Sequence, residues 1–203
     1  MFTFDRTKFF AGYRDRFGPL TQDLVDAIEF LLNQVEKDNR FAGTETDRRK
    51  LAYCLATFKW ETAHTMKPID EHGGPKYFNS RYGPQTRVGK MLGNTKAGDG
   101  ALFHGRGYVQ LTGRRNYSKA KTLTGIDLLI EPDRAKSPEL AYQIAVQGMT
   151  DGWFTGKKLG QFFKDGQPPD YENARTIING HDKAQNIADI ARRFNEVLSA
   201  AVK

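Results

Sequence analysis

Three carboxylates lie close together in the segment FKWETAHTMKPIDEHGGPKYF, residues 58–78: Glu61, Asp70 and Glu71. Glu61 follows apolar residues at helical spacing, and it lies on the same helix face as Cys54 because seven residues make almost two full turns. Burial disfavours the charged form of a carboxyl group, and the negative end of a helix dipole acts in the same direction. We therefore expect Glu61 to keep its proton near neutral pH, as a general acid must.

Asp70 and Glu71 differ from Glu61 because they follow in a glycine-flanked loop. A carboxylate in such a loop stays hydrated and ionised, which suits a general base. A protonated acid opposite an ionised base is the arrangement that hydrolyses glycosidic bonds. Two plainer interpretations stay open: Glu61 is paired with a buried arginine or with capping backbone amides, and the Asp-Glu pair is an ordinary surface feature.

Other chemistries fit the sequence less well. The segment GRGYVQLTG, residues 105–113, lacks the Gly-Lys-Ser/Thr of a phosphate-binding loop and the spacing of a dinucleotide-binding turn. The histidines never fall at a zinc-binding spacing, although His64 and His72 lie near the carboxylates. No Gly-x-Ser-x-Gly motif offers a serine nucleophile. We therefore expect no metal and no cofactor.

The chain has 203 residues, 38% of them hydrophobic and 27% charged, which is the composition of a soluble globular protein. It contains neither an apolar run that would span a membrane nor the apolar core of a secretory signal. The single cysteine, Cys54, excludes internal disulfides and fits a reducing compartment, and we interpret it as a core residue. The net charge of +7 favours polyanionic partners, of which nucleic acid and an anionic bacterial wall are two.

Periodic apolar residues predict a mainly helical protein. One amphipathic helix covers Thr21 to Lys37 with Thr21 as its N-cap. A second helix begins at a capping box near Thr44 to Asp47, turns Leu51, Cys54, Leu55 and Phe58 inward and ends before Pro68.

Between Met66 and Phe103 the periodicity disappears while glycine, proline and aromatic residues accumulate, which predicts a long functional loop. The run YVQL, residues 108–111, is β-prone, and Thr112 is placed to cap the helix that follows. Helical patterns return in three places: from Pro138, briefly within DYENARTIING at residues 170–180, and over about Lys183 to Ala201. The fold is therefore expected to be mainly α with one small hairpin or sheet.

Three motifs together resemble one family: ETAHTMKPIDEHGG at residues 61–74, GRGYVQLTGRRNY at residues 105–117 and IING at residues 177–180. They are similar to motifs of the family 19 glycoside hydrolases, the plant-chitinase superfamily, and especially of its bacteriophage endolysins and bacterial chitinase-like lysozymes. The resemblance runs from about Leu24 to Leu198. It implies a lysozyme-like fold, in which two mainly helical lobes flank a substrate cleft with a small β-hairpin or sheet beside it, and a single catalytic domain over residues 1–203.

The resemblance also implies an inverting hydrolysis of β-1,4 bonds next to N-acetylglucosamine, without a metal or a covalent intermediate. Glu61 matches the family's general acid and Glu71 its base, although a shift of one residue would give that role to Asp70. Thr112 matches the hydroxyl residue that holds the attacking water. Substrate contacts are expected from the amides of Gln110, Asn116 and Asn179 and from the ring of Tyr108.

Each of these residues also fits a structural role. Thr112, Asn116 and Asn179 fit helix-end caps. About half of the aromatic residues that are candidates for stacking on sugar rings fit a core instead; the candidates are Tyr77, Phe78, Tyr82 and Tyr108.

The sequence departs from the family in three respects. Trp60 stands where the family often has a histidine. The C-terminal arginine that orients the carboxylates in some members has no clear equivalent, and Arg192 or Arg193 is the candidate for its place. The disulfides of the secreted plant enzymes cannot form with one cysteine.

The sequence favours an endolysin-type glycosidase that cuts the glycan backbone of peptidoglycan, because missing disulfides, an absent signal and a basic surface fit a bacterial wall attacked from inside. Such a protein is expected to be a cytoplasmic monomer of the producing cell that binds no nucleic acid and inserts into no membrane. A holin is its implied, indirect partner. Three alternatives remain: a chitinase of the same fold, a cell-wall-binding protein without catalysis and, third, a nucleic-acid-binding protein.

Overall fold

The structure is a computed structural model that describes residues 1–203. It is mainly α-helical, at 59% helix, with one two-stranded antiparallel sheet, which confirms the predicted fold class. Contacts divide the chain into two compact units: unit 1 consists of Met1–Met66 and Met149–Lys203, and unit 2 consists of Lys67–Gly148. Across the whole chain, no helix combines the length and the apolar character that crossing a membrane requires.

The regular structure consists of ten α-helices, two 3-10 helices and two short strands. The α-helices are α1 (Arg6–Phe17), α2 (Gln22–Lys37), α3 (Glu45–Glu61), α4 (Pro75–Tyr82), α5 (Arg87–Met91), α6 (Asp99–Leu102), α7 (Arg114–Thr124), α8 (Pro138–Asp151), α9 (Leu159–Phe162) and α10 (Ala184–Ala201). The 3-10 helices are Pro132–Lys136 and Asn173–Ile177, and the strands are β1 (Ile69–Asp70) and β2 (Arg106–Gly107).

Unit 1 is built around α3 and α10, which pack against each other, and α10 also packs on α1. The amphipathic spacing of α10 explains this packing, because its inward residues are at most 2% exposed: Ile187, Phe194, Val197 and Leu198. The predicted inward residues of α3 are buried to the same degree: Leu51, Cys54, Leu55 and Phe58. Every residue of α3 from Leu51 to Lys59 is buried, so the helix that ends at Glu61 is a central element of the unit.

Threonine side chains begin both predicted N-terminal helices. Thr21 Oγ1 accepts a hydrogen bond from Leu24 N at 3.3 Å, and Thr44 Oγ1 accepts one from Asp47 N at 3.1 Å. The returning half of the predicted capping box is absent, because the Asp47 carboxylate accepts from Ala42 N at 2.9 Å instead. The predicted start of α3 is thus confirmed, but Asp47 binds the backbone of Ala42 and not that of Thr44.

Helix α1 was not predicted from the sequence. Its charged residues interrupt the apolar pattern, and only Phe9 and Tyr13 are buried. Local hydrogen bonding defines its start, since Asp5 Oδ1 accepts from Lys8 N at 3.0 Å as an N-cap. Capping and two aromatic anchors are therefore enough to place a helix that has little periodicity.

The small sheet of unit 2 joins two distant segments. Strands β1 and β2 pair antiparallel with Ile69 opposite Gly107 and Asp70 opposite Arg106. The predicted strand at residues 108–111 is wrong, because the chain reverses there and only Leu111 returns to bridge Arg106. Gly107 at φ 90° and Gln110 at φ 55° supply the left-handed residues that this reversal needs.

The segment from Met66 to Phe103 is more regular than predicted, because it contains β1 and the three short helices α4, α5 and α6. Helices of four to eight residues show no full apolar period, so the sequence pattern misses them. Residue 112 does not cap α7 as predicted: Gly113 is the N-cap, and the Thr112 hydroxyl donates to Gln110 O at 2.8 Å.

The predicted C-terminal elements have the expected positions. Helix α8 begins at Pro138, and α10 begins after Lys183 and ends at Ala201. The short element predicted in DYENARTIING is the 3-10 helix Asn173–Ile177, in which Ala174, Arg175 and Ile177 are buried.

Candidate active site

Glu61 is the last residue of α3 and belongs to unit 1. Its Oε1 accepts a hydrogen bond from Arg175 Nη1 at 2.5 Å, and the two side chains are 17% and 5% exposed, respectively. The second carboxyl oxygen, Oε2, accepts no hydrogen bond from the protein. The carboxyl group is therefore fixed through one oxygen, and the other is without a protein hydrogen bond.

Arg175 is itself held in place by the 3-10 helix Asn173–Ile177. Arg175 Nε donates to Asp182 O at 3.1 Å, and Tyr53 of α3 donates its hydroxyl to Ala174 O at 2.7 Å. Asn179 N donates to Arg175 O at 3.1 Å. The arginine cluster, which we define as Glu61, Arg175 and Asn179, thus joins two of the predicted site residues through one arginine.

This ion pair corrects two predictions. Glu61 was expected in apolar surroundings that would keep it protonated, but a buried guanidinium lies against it, as the alternative interpretation had it. The orienting arginine was expected at Arg192 or Arg193, yet Arg192 pairs with Asp189 and Arg193 donates to Arg16 O. The sequence did not single out Arg175.

The chain turns sharply directly after Glu61. Ala63, His64 and Met66 have positive φ angles of 50°, 68° and 56°, a conformation that non-glycine residues seldom adopt. Thr62 stabilises this turn, since its hydroxyl donates to Phe58 O at 2.7 Å and accepts from Met66 N at 3.0 Å. Strained backbone of this kind is typical of functional sites, because the surrounding structure must hold it in place.

Glu71 lies just after β1 in unit 2, and both of its carboxyl oxygens accept hydrogen bonds from neutral groups. Tyr82 donates its hydroxyl to Oε1 at 2.7 Å, and Gly105 N donates to Oε2 at 3.0 Å. The Glu71 backbone is fixed as well, because its N–H donates to Gly105 O at 2.8 Å. Tyr82 is 8% exposed. Burial and the hydrogen bond to Glu71 raise the pKa of Tyr82, so its hydroxyl keeps its proton.

Gly105 brings Glu71 and Gln110 to the same place. A Cβ atom at Gly105 would lie 3.1 Å from Glu71 Oε2 and 2.8 Å from Gln110 Oε1, so no side chain fits there without moving these two. Gln110 accepts the Thr112 hydroxyl through its backbone oxygen, and Asn116 Nδ2 donates to Thr112 O at 3.0 Å. The glycine network, defined as Glu71, Gly105, Gln110, Thr112 and Asn116, therefore unites four predicted site residues.

Asp70 has a different environment from Glu71, although the two are adjacent. Lys136 Nζ lies 2.5 Å from Asp70 Oδ2, while Arg106 Nε and His104 Nε2 lie 3.4 Å and 3.3 Å from Oδ1. Burial acts to raise the pKa of Asp70, but the Lys136 hydrogen bond and the neighbouring positive charges outweigh it and lower that pKa. Because both Asp70 oxygens are occupied by cations, this carboxylate is poorly placed to take a proton from water.

The predicted sugar-stacking rings are mostly buried. Tyr108 is 1% exposed, which corrects its assignment to the substrate site, because a ring inside the core has no free face for a sugar. Phe78 and Tyr82 are also buried, at 3% and 8%, while Tyr77 is 43% exposed. Asn179 is exposed, and its Oδ1 accepts from Gly180 N at 2.9 Å.

The sequence did not single out Arg175 or Gly105, and it predicted Tyr82 as a sugar-stacking ring and not as the hydrogen-bond donor to Glu71. Arg175 stands next to the quoted IING motif, and Gly105 begins GRGYVQLTGRRNY, so proximity to the motifs was the available signal. Trp60, which stands where the family often has a histidine, packs its indole edge-on against the His64 ring, with the ring centroids 6.1 Å apart. No set of three or more His, Cys, Asp and Glu side chains is arranged to hold a metal ion.

The fold is similar to that of solved chitinase structures. Chitinase C from Streptomyces griseus superposes with a TM-score of 0.58 at 20% identity, over 97% of this chain and 91% of that chain. A bacterial family 19 chitinase superposes with a TM-score of 0.56 at 19% identity, over 97% of this chain and 95% of that chain.

Sequence comparison gives a weaker similarity in the same direction. An endochitinase of Arabidopsis thaliana is 30% identical over 105 residues, which are 51% of this chain. The match spans about a third of the length of that relative, 34%. No protein-family model matches the chain. The resemblance that the three motifs predicted is confirmed at the level of the fold, which this chain shares with the family 19 chitinases.

Proposed function

We propose that this protein is a glycoside hydrolase that cleaves β-1,4 bonds in a polymer of N-acetylated amino sugars, with the glycan backbone of peptidoglycan as its substrate. The observation that carries the proposal is the grouping of the predicted site residues around two differently held carboxylates. Glu61 is fixed by a buried cation, and Glu71 is fixed by two neutral donors. Two carboxylates with different surroundings are what an acid and a base require.

In this proposal Glu61 is the general acid. Arg175 holds Oε1 in place, so Oε2, which accepts no hydrogen bond from the protein, is the oxygen that presents the catalytic proton to the substrate. That proton passes to the glycosidic oxygen while the bond from this oxygen to the anomeric carbon breaks. Arg175 is a positioning residue that acts through Glu61.

Glu71 is the general base that receives a proton from the attacking water. The oxygen of that water forms the new bond to the anomeric carbon on the face opposite the leaving group, which inverts the configuration. The Thr112 hydroxyl donates to Gln110 O and thus keeps its own lone pairs for accepting a hydrogen bond from the water. Tyr82 and Gly105 position the Glu71 carboxylate.

Amide side chains suit the sugar contacts, since each both donates to and accepts from hydroxyl and acetamido groups. Gln110 lies in the glycine network beside Glu71, and Asn179 is an exposed amide in unit 1. These two residues are proposed to bind substrate and not to transfer protons. Asn116 is 3% exposed, so it is proposed to support the network by donating to Thr112 O and not to contact the sugar.

The choice of peptidoglycan over chitin rests on charge. The net charge of +7 attracts an anionic wall polymer, whereas chitin is neutral and gains nothing from it. Chitin is the second candidate, because the similar proteins are named as chitinases and an endochitinase. Added salt should therefore slow hydrolysis of peptidoglycan between about 50 and 300 mM and leave hydrolysis of chitin oligomers unchanged.

The direct test is the release of reducing ends from purified peptidoglycan and from chitin oligomers, with Glu61→Gln as the matched variant. We expect the unmodified protein to cleave peptidoglycan and Glu61→Gln to lose at least about a hundredfold in kcat while still sedimenting with cell walls. Cleavage of chitin but not of peptidoglycan would show that chitin is the substrate. If the unmodified protein binds cell walls without cleaving them, the protein is a wall-binding protein and not an enzyme.

A further inference from the structure

Unit 1 contains a cavity of about 270 Å³ whose charged lining residues are all cations. Arg40 follows α2, Lys50 lies on α3, and Lys158 precedes α9, so three separate segments bring a positive charge to it. Phe41 and Leu159, which are 2% and 3% exposed, form its apolar part. No carboxylate lines this cavity, which we name the basic cavity.

Two of the three cations are fixed by buried carboxylates. Asp38 accepts from Arg40 Nε at 2.8 Å and Nη2 at 2.7 Å, and Asp47 accepts from Lys50 Nζ at 3.1 Å. The Asp38 and Asp47 side chains are only 5% and 8% exposed. Lys158 has no ion pair in the structure. Lys158 is therefore the cation of this lining that has no carboxylate partner, beside two cations whose side chains are held in position.

The size and the donor set of the basic cavity indicate one kind of ligand. Its volume lies just below the roughly 300 to 1,000 Å³ of pockets that enclose drug-sized molecules, so it suits a single small group. Three cations on three separate segments suit an anion with several oxygens better than a carboxylate, which offers two. We propose that the basic cavity binds a phosphate group, either free or as part of a phosphodiester polymer.

The basic cavity is separate from the candidate active site. Lys50 and Glu61 both lie on α3, and eleven residues at 1.5 Å per residue place them about 16 Å apart along the helix axis. The phosphate site is therefore independent of the proposed hydrolysis, and its test needs no activity. A phosphodiester bound there would retain the protein on an anionic polymer while Glu61 remains open to the glycan.

The test is a titration of the full chain with inorganic phosphate, followed by backbone amide NMR at constant ionic strength. We expect saturable shifts concentrated at residues 40–41, 50 and 158–161. Lys158→Gln, at an exposed position, should weaken phosphate binding about tenfold, because it removes the unpaired charge-assisted donor. Lys164→Gln removes the same charge from an exposed lysine outside the basic cavity and should leave the affinity unchanged.

Shifts spread over all lysines, or equal weakening by Lys158→Gln and Lys164→Gln, would overturn the proposal in favour of diffuse surface attraction. Acetate that binds as tightly as phosphate at the same residues would also overturn it, because the site would then recognise carboxylates. A parallel titration with a glycerol-phosphate oligomer distinguishes the sources. Tighter binding of the oligomer per phosphate assigns the site to a polymer, and equal binding assigns it to free phosphate.

Discussion

The two candidate carboxylates are both held by hydrogen bonds, but the charge of their partners differs. Glu61 in unit 1 depends on one buried cation that arrives from a distant 3-10 helix. Glu71 in unit 2 depends on a phenol and a backbone N–H, both neutral. A buried ion pair is costly to break, because the remaining charge is left without a partner, whereas a neutral hydrogen bond contributes less and is easier to replace.

The comparison shows that stability and activity are linked differently at the two carboxylates. Near Glu61, one residue serves both stability and the proposed chemistry, because Arg175 holds Glu61 and also donates to Asp182 O, which anchors the 3-10 helix. The Glu71 environment separates them, because Tyr82 and Gly105 can be altered without leaving a buried charge unpaired. Substitution of Arg175 should therefore lower both stability and activity, whereas loss of the Tyr82 hydroxyl should lower activity with little change in stability.

The largest expected loss of activity comes from substituting Glu71, and it distinguishes Glu71 from the adjacent Asp70. Glu71→Gln should lower kcat by about 10² to 10⁴, because the base that receives the proton of the water is lost. Asp70→Asn should stay within about threefold, since Asp70 is paired with Lys136, Arg106 and His104. Steady-state kinetics on both variants, with circular dichroism to confirm folding, decides the matter. The reverse order of losses would assign the base to Asp70.

Breaking the ion pair of unit 1 is the next largest effect. Arg175→Ala should lower the free energy of unfolding by about 3 kcal/mol, because it leaves Glu61 half-buried without its cation. The matched control is Arg192→Ala, whose pair with Asp189 is about half exposed and should contribute less than about 1 kcal/mol. Urea unfolding measures both. Equal losses would show that the Arg175 pair is an ordinary surface pair.

A second charged pair, in unit 2, extends the comparison to acid stability. Burial acts to raise the pKa of Asp99, but hydrogen bonds from Arg114 and from two backbone N–H groups lower it from 3.8 to about 2. A lowered carboxyl pKa stabilises the fold above pH 3.8, and that contribution, about 2 kcal/mol, disappears as the pH falls towards 2. Asp99→Asn should lower stability at pH 6 and flatten its dependence on pH over this interval. An unchanged slope in acid unfolding experiments would contradict the assignment.

The smallest expected effect concerns the neutral donor of Glu71. Tyr82→Phe should lower kcat about tenfold and leave KM unchanged, because it removes one hydrogen bond that positions the base. Tyr171→Phe removes a buried hydroxyl that has no partner and is the matched control, with no loss of activity. If Tyr82→Phe raises KM and leaves kcat unchanged, Tyr82 binds substrate and does not position Glu71.

The sequence predicted the long helices well, because their apolar residues recur over several turns. Thr21, Thr44 and Pro138 marked the beginnings of α2, α3 and α8 correctly. The misses have the opposite character: α1 interleaves charges with its apolar residues, and α4, α5 and α6 are too short to show a period. At residues 108–111, β propensity was outweighed by the turn that Gly107 and Gln110 make.

The candidate site was predicted in its residue types but not in its contacts. Gln110, Thr112 and Asn116 come from one continuous motif, and the structure links them locally. Arg175 lies 114 residues from Glu61 along the chain, so no local pattern announces their pairing. Single-sequence reasoning places side chains on elements and does not pair distant elements, which is why the surroundings of Glu61 were predicted incorrectly.

The most direct test of hydrolysis by Glu61 and Glu71 is the anomeric configuration of the first product, followed by proton NMR during the first minutes of glycan cleavage. A single displacement by water activated at Glu71 predicts that the new reducing end appears as the α-anomer and only later equilibrates. Initial appearance of the β-anomer would show a retaining, two-step reaction, and would contradict the assignment of Glu71 as a base that acts on water.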